Sequence, residues 1–360
     1  MKWRLILVTT LLLFSITPRN QAIVFAQDVP DVSDVKVLMF IKDGFGWNYF
    51  DARRILESWG VNVTTVAYSL DHNITSCPYR DTGENETVIV EYTHQEMTPE
   101  MVAEFDCLFV PSGGQWLSLI AAGVPLTFIA DAYDLGLLVA SICTGTRVVS
   151  EAHDIVNGSK VAWYGLSSPQ MSAAGATTVL GMAAVADGPM ITGSGGGGPN
   201  EGGYLEAPTS EVCAEVIRQV LGLSRVVATS LTSYTHPVGT DFTLDVTIDN
   251  LNDTLGDILS TSIEEVTAYV YTVGNRTQID TVELRDDNHD GNYTCHFTGL
   301  ESGQYVVDIE VEDSNSTLEV VREVEVFDVG IEPIDIVLFT SVTLGSIIVI
   351  VLVVALKKKK

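Results

Sequence analysis

The segment Gly136 to Ala152, GLLVASICTGTRVVSEA, constrains the fold most, because an apolar run stops at one cysteine and gives way at once to helix-compatible residues. Leu137 to Ile142 suits a central parallel strand covered on both faces, Ser141 and Gly145 are small enough for a tight turn around Cys143, and Thr146 to Ala152 continues as helix. A strand that passes directly into a helix at a nucleophile residue calls for an α/β architecture. It also places the Cys143 thiol at a helix N-terminus, where orphan N–H groups and aligned peptide dipoles favour the thiolate. The competing reading is a core cysteine that only fills the end of a strand.

The flanking pattern extends this architecture over residues 34–223. Strands are expected at Val35–Ile41, Val61–Tyr68, Cys107–Val110, Lys160–Trp163, Ala183–Val185 and Met190–Thr192, and helices at Tyr49–Ser58, Ser168–Ala174 and Ser210–Leu221. Thr98-Pro99-Glu100 carries the cap, proline and early acid of a helix start. Repeated strand–helix units imply a mostly parallel sheet with helices on both faces and a site at the strands' carboxyl ends. Beyond Ser224 the period changes to β: Thr243–Ile248, Val266–Val273, Gln278–Leu284, Gly291–Phe297, Gln304–Val311 and Thr317–Phe327 predict an all-β sandwich over 225–328. With one cysteine and no tryptophan it fits a fibronectin-like or generic immunoglobulin-like module, a rigid spacer between the α/β domain and a membrane.

The two ends give the membrane expectation. Lys2 and Arg4 precede an apolar run, and Val24-Phe25-Ala26 offers small residues for signal cleavage, so 1–26 reads as a signal peptide. Residues 336–356 form 21 positions without a charge, enough to span a bilayer, followed by four lysines at 357–360 that read as the cytoplasmic side. Eight of 13 asparagines head glycosylation triplets, namely Asn62, Asn73, Asn85, Asn157, Asn252, Asn275, Asn292 and Asn315, all on the segment expected to face outward. Between Gln27 and Asp335 lie all 47 acidic residues but only 12 of the 19 basic ones, a net of −35, which excludes nucleic acid as a partner. The expected location is therefore the cell membrane, single-pass, with the N-terminal domains extracellular. Of five cysteines, Cys107 and Cys213 read as core residues, while Cys77 and Cys295 are left to pair or stay separate.

Three blocks carry a resemblance to the DJ-1/PfpI family, of the class I glutamine amidotransferase-like fold: Phe105 to Gly114 (FDCLFVPSGG), Ala140 to Gly145 (ASICTG), and Val185 to Gly195 (VADGPMITGSG), with Asn157 to Val161 between them. The resemblance implies a flavodoxin-like parallel sheet sandwiched by helices and Cys143 as the reactive nucleophile. It also implies Gly113 or Gly114 and the Thr144 N–H as donors of an oxyanion pocket, with Gly113 and Tyr164 lining a ligand site. At the position where many members hold an acid beside the cysteine this chain has Asn48, whose amide donates a hydrogen bond but exchanges no proton near neutral pH. Where members place histidine it has Thr144 and Tyr164. His153, His72 and His94 lie elsewhere in the α/β part, and His236, His289 and His296 lie in the sandwich.

These features predict a membrane-anchored outward-facing protein whose Cys143 site binds a small ligand or senses oxidants with weak or no hydrolysis, and which needs no cofactor. A cysteine-dependent hydrolase, peptidase or glyoxalase-type enzyme is the second reading, and a structural or adhesion protein the third; homo-oligomers fit all of them. Asp286, Asn288 and Asp290 have alternating oxygen ligands, as in a calcium loop, yet Phe297 replaces its closing glutamate, so an acidic hairpin turn is the expectation. Gly193 to Gly203 lacks the Lys-Ser/Thr of a phosphate loop and is expected to be a flexible loop at the site mouth.

Overall fold

The computed structural model describes residues 32–79, 82–165, 167–195, 208–249 and 262–330. The expected signal peptide, the 336–356 span, the lysine tail, Asn252 and residues 196–203 of the glycine-rich segment lie outside them. Among the described residues no single helix is long and apolar enough to cross a membrane.

The α/β part contains strands β1 (Lys36–Ile41), β2 (Asn62–Ala67), β3 (Asn73–Thr75), β4 (Thr87–Ile89), β5 (Tyr92–Thr93), β6 (Cys107–Val110), β7 (Leu138–Ile142), β8 (Lys160–Ala162), β9 (Thr177–Val179), β10 (Ala184–Asp187) and β11 (Met190–Gly193). Its helices are α1 (Asn48–Ser58), α2 (Pro99–Val102), α3 (Trp116–Ala122), α4 (Val124–Asp134), α5 (Thr144–Ser150), α6 (Ser168–Ala173) and α7 (Thr209–Val220). The β-rich part follows with β12 (Val226–Leu231), β13 (Thr235–His236), β14 (Phe242–Ile248), β15 (Ile263–Thr272), β16 (Gln278–Glu283), β17 (Asn292–Phe297), β18 (Gly303–Asp313) and β19 (Thr317–Val329). Thr98 caps α2 by accepting a hydrogen bond from the Met101 N–H, as the sequence predicts. The helices α3 and α4 and the strand β12 were not expected: their apolar residues show no clean single-face period, and Gly123 at φ 71° breaks what reads as one long run.

Parallel pairing runs β11-β7-β6-β1-β2-β5, and near-continuous apolar strands are its signature because both faces are covered. Within β1, Val37, Met39 and Ile41 pack under α1 and α7 with Leu56, Val212 and Val216, whereas Leu38 and Phe40 face the α4 and α5 side with Ile129 and Val148. In the β-rich part, β12-β14-β17 forms one sheet and β16-β15-β18-β19 another. They share one core, including Leu244, Val246 and Phe297 from the first and Ala268, Ile309 and Phe327 from the second.

The two parts share a sheet. β10 pairs with β19 in parallel, from Ala184↔Thr317 to Asp187↔Val320, while β19 also pairs with β18. One sheet therefore runs β16-β15-β18-β19-β10-β11-β7-β6-β1-β2-β5 through both. The boundary expected near residue 224 is thus bridged by main-chain hydrogen bonds.

Buried charge crosses the same boundary. Arg218 on α7 bonds Glu215 through Nε at 2.9 Å and Glu319 on β19 through a terminal nitrogen at 2.9 Å, and donates to the Leu223 carbonyl at 2.8 Å. Arg225 reaches Glu215 at 3.1 Å and Asp313 at 2.7 Å, and its N–H donates to Glu319 at 3.0 Å. All five side chains are buried. Burial pushes the Glu215 carboxyl up, but Arg218 and Arg225 outweigh it and hold it below its ordinary value. On the other side of the junction Arg322 donates to Asp187 and Lys160 pairs with Glu310.

Candidate functional site

The site is built where β1, β6 and β7 end. Cys143 has φ 56° and ψ −122°, a conformation costly for any residue with a side chain, and it separates β7 from α5 without an intervening loop. Four hydrogen bonds hold it there. Its N–H donates to the Gly193 carbonyl at 3.2 Å, and its carbonyl accepts from the Thr146 N–H at 3.1 Å, the Thr146 hydroxyl, and the Ser167 hydroxyl at 3.2 Å. Gly145 is required for the turn, because a Cβ there would lie 2.3 Å from the Val110 carbonyl oxygen. A strand, a strained turn residue and an immediate helix are the geometry of a nucleophile elbow.

The turn after β6 faces the elbow. Gly113 has φ 118°, and its N–H donates to the Thr144 hydroxyl at 3.0 Å while that hydroxyl donates back to the Gly113 carbonyl at 3.1 Å. The Gly113 N–H is thereby occupied. Of the other expected oxyanion donors, the main-chain N–H of Thr144 lies at the first position of α5, where a helix supplies no carbonyl partner.

Asn48 opens α1 and is buried. Its Oδ1 accepts from the Ser112 N–H at 3.2 Å and the Ser112 hydroxyl at 2.9 Å, and its Nδ2 has no hydrogen-bond partner among the described residues. A buried amide donor left without an acceptor costs stability, so the position is not optimised as a simple cap. Tyr164 lies against Gly195, where a Cβ would fall 1.9 Å from the ring, and its carbonyl accepts from the Ser167 and Ser168 N–H groups. The Tyr164–Ser168 turn thus reaches the elbow through Ser167.

Two contributors were missed in the sequence. Gln115, almost wholly buried, donates to the Pro111 and Ser112 carbonyls at 3.0 and 3.1 Å and accepts from the Lys42 N–H at 2.7 Å, tying the end of β1 to the turn after β6. Its signal was a polar residue directly after Gly113-Gly114. Ser167 is fully buried and had no signal beyond its place after Tyr164.

The histidines with hydrogen bonds have their partners elsewhere: His153 with Thr127, His72 with the Val90 carbonyl, His236 with the Ser233 carbonyl and His296 with Thr243. No disulfide joins any two of the five cysteines, and Cys295 lies in the β-rich core while Cys77 lies beside Trp47. Burial pushes the Cys107 and Cys213 thiols far up, takes Cys295 up to about 12, and raises Cys77 less. At Asp286 to Asp290 the carboxylates turn inward. Asp286 accepts from the Asp290 and Gly291 N–H groups, and Asp290 from the Asn292 N–H and the Asn288 amide, as in a hairpin turn. Among the described residues no cluster of His, Cys, Asp and Glu is placed to hold a metal.

Residues 35–201 match the model of the DJ-1/PfpI family. No curated protein matches the chain. Among solved structures it is similar to a two-domain protein with DJ-1/ThiJ/PfpI-like and ferritin-like domains from Anabaena variabilis, at 21% identity and TM-score 0.43, covering 52% of this chain and 48% of that one. It therefore spans about half the length of that protein. A ThiJ/PfpI domain protein from Brachyspira murdochii matches at 17% identity and TM-score 0.40, over 53% of this chain and 95% of that one. A ThiJ/PfpI family protein from Pseudomonas syringae matches at 20% and 0.43, over 57% and 76%. By the family match, residues 35–201 of this chain are a DJ-1/PfpI family domain, with an all-β region after it.

Proposed function

We propose that this is a membrane-anchored, outward-facing protein whose Cys143 is a reactive thiol that binds a small electrophilic ligand or senses oxidants, with little hydrolysis. The observation that carries the reading is Asn48: the position beside the elbow holds an amide whose oxygen is already engaged by Ser112, so no proton-exchanging group stands there. The turn at Cys143 is nonetheless kept in its costly conformation, which a mere core cysteine would not need. Outward placement is supported by the sequons. All seven of their asparagines among the described residues are exposed. The all-β region fits an immunoglobulin- or fibronectin-like module between the site and the anchor.

Timed alkylation of the full chain tests the thiol. Cys143 is expected to label first and Cys107 and Cys213 last, with Cys143→Ser removing the fast phase and leaving the melting temperature unchanged; equal slow labelling of the three defeats the reading. A second reading, a working hydrolase or glyoxalase-type enzyme, draws on the same residue, since the Asn48 Nδ2 is a buried donor available to a developing oxyanion. Turnover of small amides, peptides or methylglyoxal that disappears in Cys143→Ala would favour it.

A further inference from the structure

We infer that the turn Ser233 to Thr240 is a membrane-contact surface that rests on zwitterionic lipid and fixes how the outward part stands over the bilayer. The inference rests on the anchor proposed above and extends it to a second, peripheral contact.

Its place in the fold carries the argument. β13 pairs in parallel with the last residues of β19, Thr235↔Asp328 and His236↔Val329, and the Gly330 N–H donates to the His236 carbonyl at 2.8 Å. Pro237 and Val238 therefore continue past the last paired residue of β19, in the direction in which the chain leaves. Only residues 331–335 separate Gly330 from the charge-free 336–356 segment. Whatever their conformation, they cannot hold Gly330 more than about 20 Å from the start of that segment.

The turn is shaped in advance. The buried His236 ring stacks on Phe242 at 3.9 Å, and its Nε2 is bonded to the Ser233 carbonyl at 2.6 Å. The Thr240 hydroxyl and N–H both donate to the Pro237 carbonyl, at 2.7 and 3.2 Å. This fixed turn leaves Tyr234 56% and Val238 58% exposed. Residues 224–240 also form the longest stretch without Asp or Glu between residues 224 and 335, in a chain with 47 acidic residues. An aromatic and an aliphatic side chain on a turn free of acids match the interfacial zone of a bilayer, where tyrosine is enriched. Two such residues are too few to recruit a soluble chain, but a tether of five residues makes the contact intramolecular. Asp241 next in the chain, Glu325 whose charge acts on the Tyr234 phenol, Glu301 beside the Ser302 that packs on Gly330, and the net charge oppose anionic headgroups, which selects neutral lipid.

The test uses the full chain in phosphatidylcholine vesicles, with the photoreactive substitution Val238→p-benzoylphenylalanine compared with the same change at Val227. Val227 is 55% exposed but lies at the opposite end of β12. Several-fold more lipid adduct at 238 than at 227, diminished when phosphatidylserine is mixed into the vesicles, is the expected result. Equal or absent lipid adducts in a chain that resists alkaline extraction overturn the inference and leave the anchor standing. Chain-to-chain adducts at 238 overturn it in favour of a contact between two copies. Release of the chain by alkaline extraction overturns the anchor and this inference together.

Discussion

Replacing Arg218 by methionine should destabilise both parts of the molecule at once. Methionine keeps much of the volume but leaves the buried Glu215 and Glu319 carboxylates with one of their two shared cations, Arg225 at 3.1 and 3.7 Å, which also serves Asp313. Each 2.9 Å contact of Arg218 with a carboxylate is worth about 6 kcal/mol of Coulomb attraction at an effective dielectric near 20. Desolvation of the ions offsets much of that, so the net cost of removing one member is about 3–5 kcal/mol. For a chain of this size that corresponds to a fall in Tm of roughly 4–8 °C. The exposed pair Arg54 and Asp51, at 3.3 Å, is the control, and Arg54→Met should cost no more than about 0.5 kcal/mol.

The assay is urea unfolding followed by two probes. Trp47, Trp59, Trp116 and Trp163 all report on the α/β part, and modification of the buried Cys295 thiol reports on the β-rich core. If the shared sheet and the ion network make one cooperative unit, the two curves coincide in the parent chain and move down together in Arg218→Met. Separate midpoints in the parent chain, or a loss under about 1 kcal/mol in the variant, would refute the reasoning.

Stability should pass through a maximum as the pH falls. Burial, against the pull of Arg225, raises the Asp313 carboxyl, and burial with neighbouring acids raises Glu312, so their contribution is full below the ordinary carboxylate value and lost as pH rises through the raised one. Glu215 has the opposite sign, and its contribution is lost as pH falls through its lowered value. Urea midpoints should therefore rise on moderate acidification and then drop, Asp313→Asn should flatten the rise, and a steady decline from neutrality would contradict it. Gly145→Ala, which drives a Cβ into the Val110 carbonyl, should cost about 1–3 kcal/mol by calorimetry and slow alkylation of Cys143. Thr144→Val removes both hydrogen bonds to Gly113 and should cost about 1–3 kcal/mol in urea, whereas Thr144→Ser should stay close to the parent.

The central strands of the α/β part and the helices α1, α2 and α5 to α7 were legible because their signals are local, whereas α3, α4 and the short strands β3, β4, β5 and β9 were not. The apolar runs at β1, β6 and β7, the Thr98-Pro99 cap and the small residues around Cys143 each specify structure within a few positions. The site was legible only in part for the same reason. Cys143, Asn48 and Thr144 follow from chain position, but the hydrogen bond that occupies the Gly113 N–H depends on a side chain brought from 31 positions away. Nothing in a turn sequence states which hydroxyl its N–H groups will meet.

The union of the two parts was the least legible feature, and the scarcity of positive charge explains how it is achieved. β19 reads as an ordinary closing strand, since alternation reveals its faces but not which edge it will meet. Yet Asp308, Glu310, Asp313 and Glu319 are buried on β18 and β19, where strand alternation alone would leave acids in solvent. Acids can remain there only if cations reach them, and residues 27–335 have 12 cations for 47 acids. Five of those cations, Lys160, Arg218, Arg225, Arg276 and Arg322, contact these strands or Asp187 beside them, and four of the five come from the α/β part, the connecting segment or β19 itself. A spacer free to pivot would need none of them. The elbow is therefore held in a fixed relation to the end of β19, so that any tilt imposed where the chain leaves Gly330 is carried through one continuous sheet to Cys143.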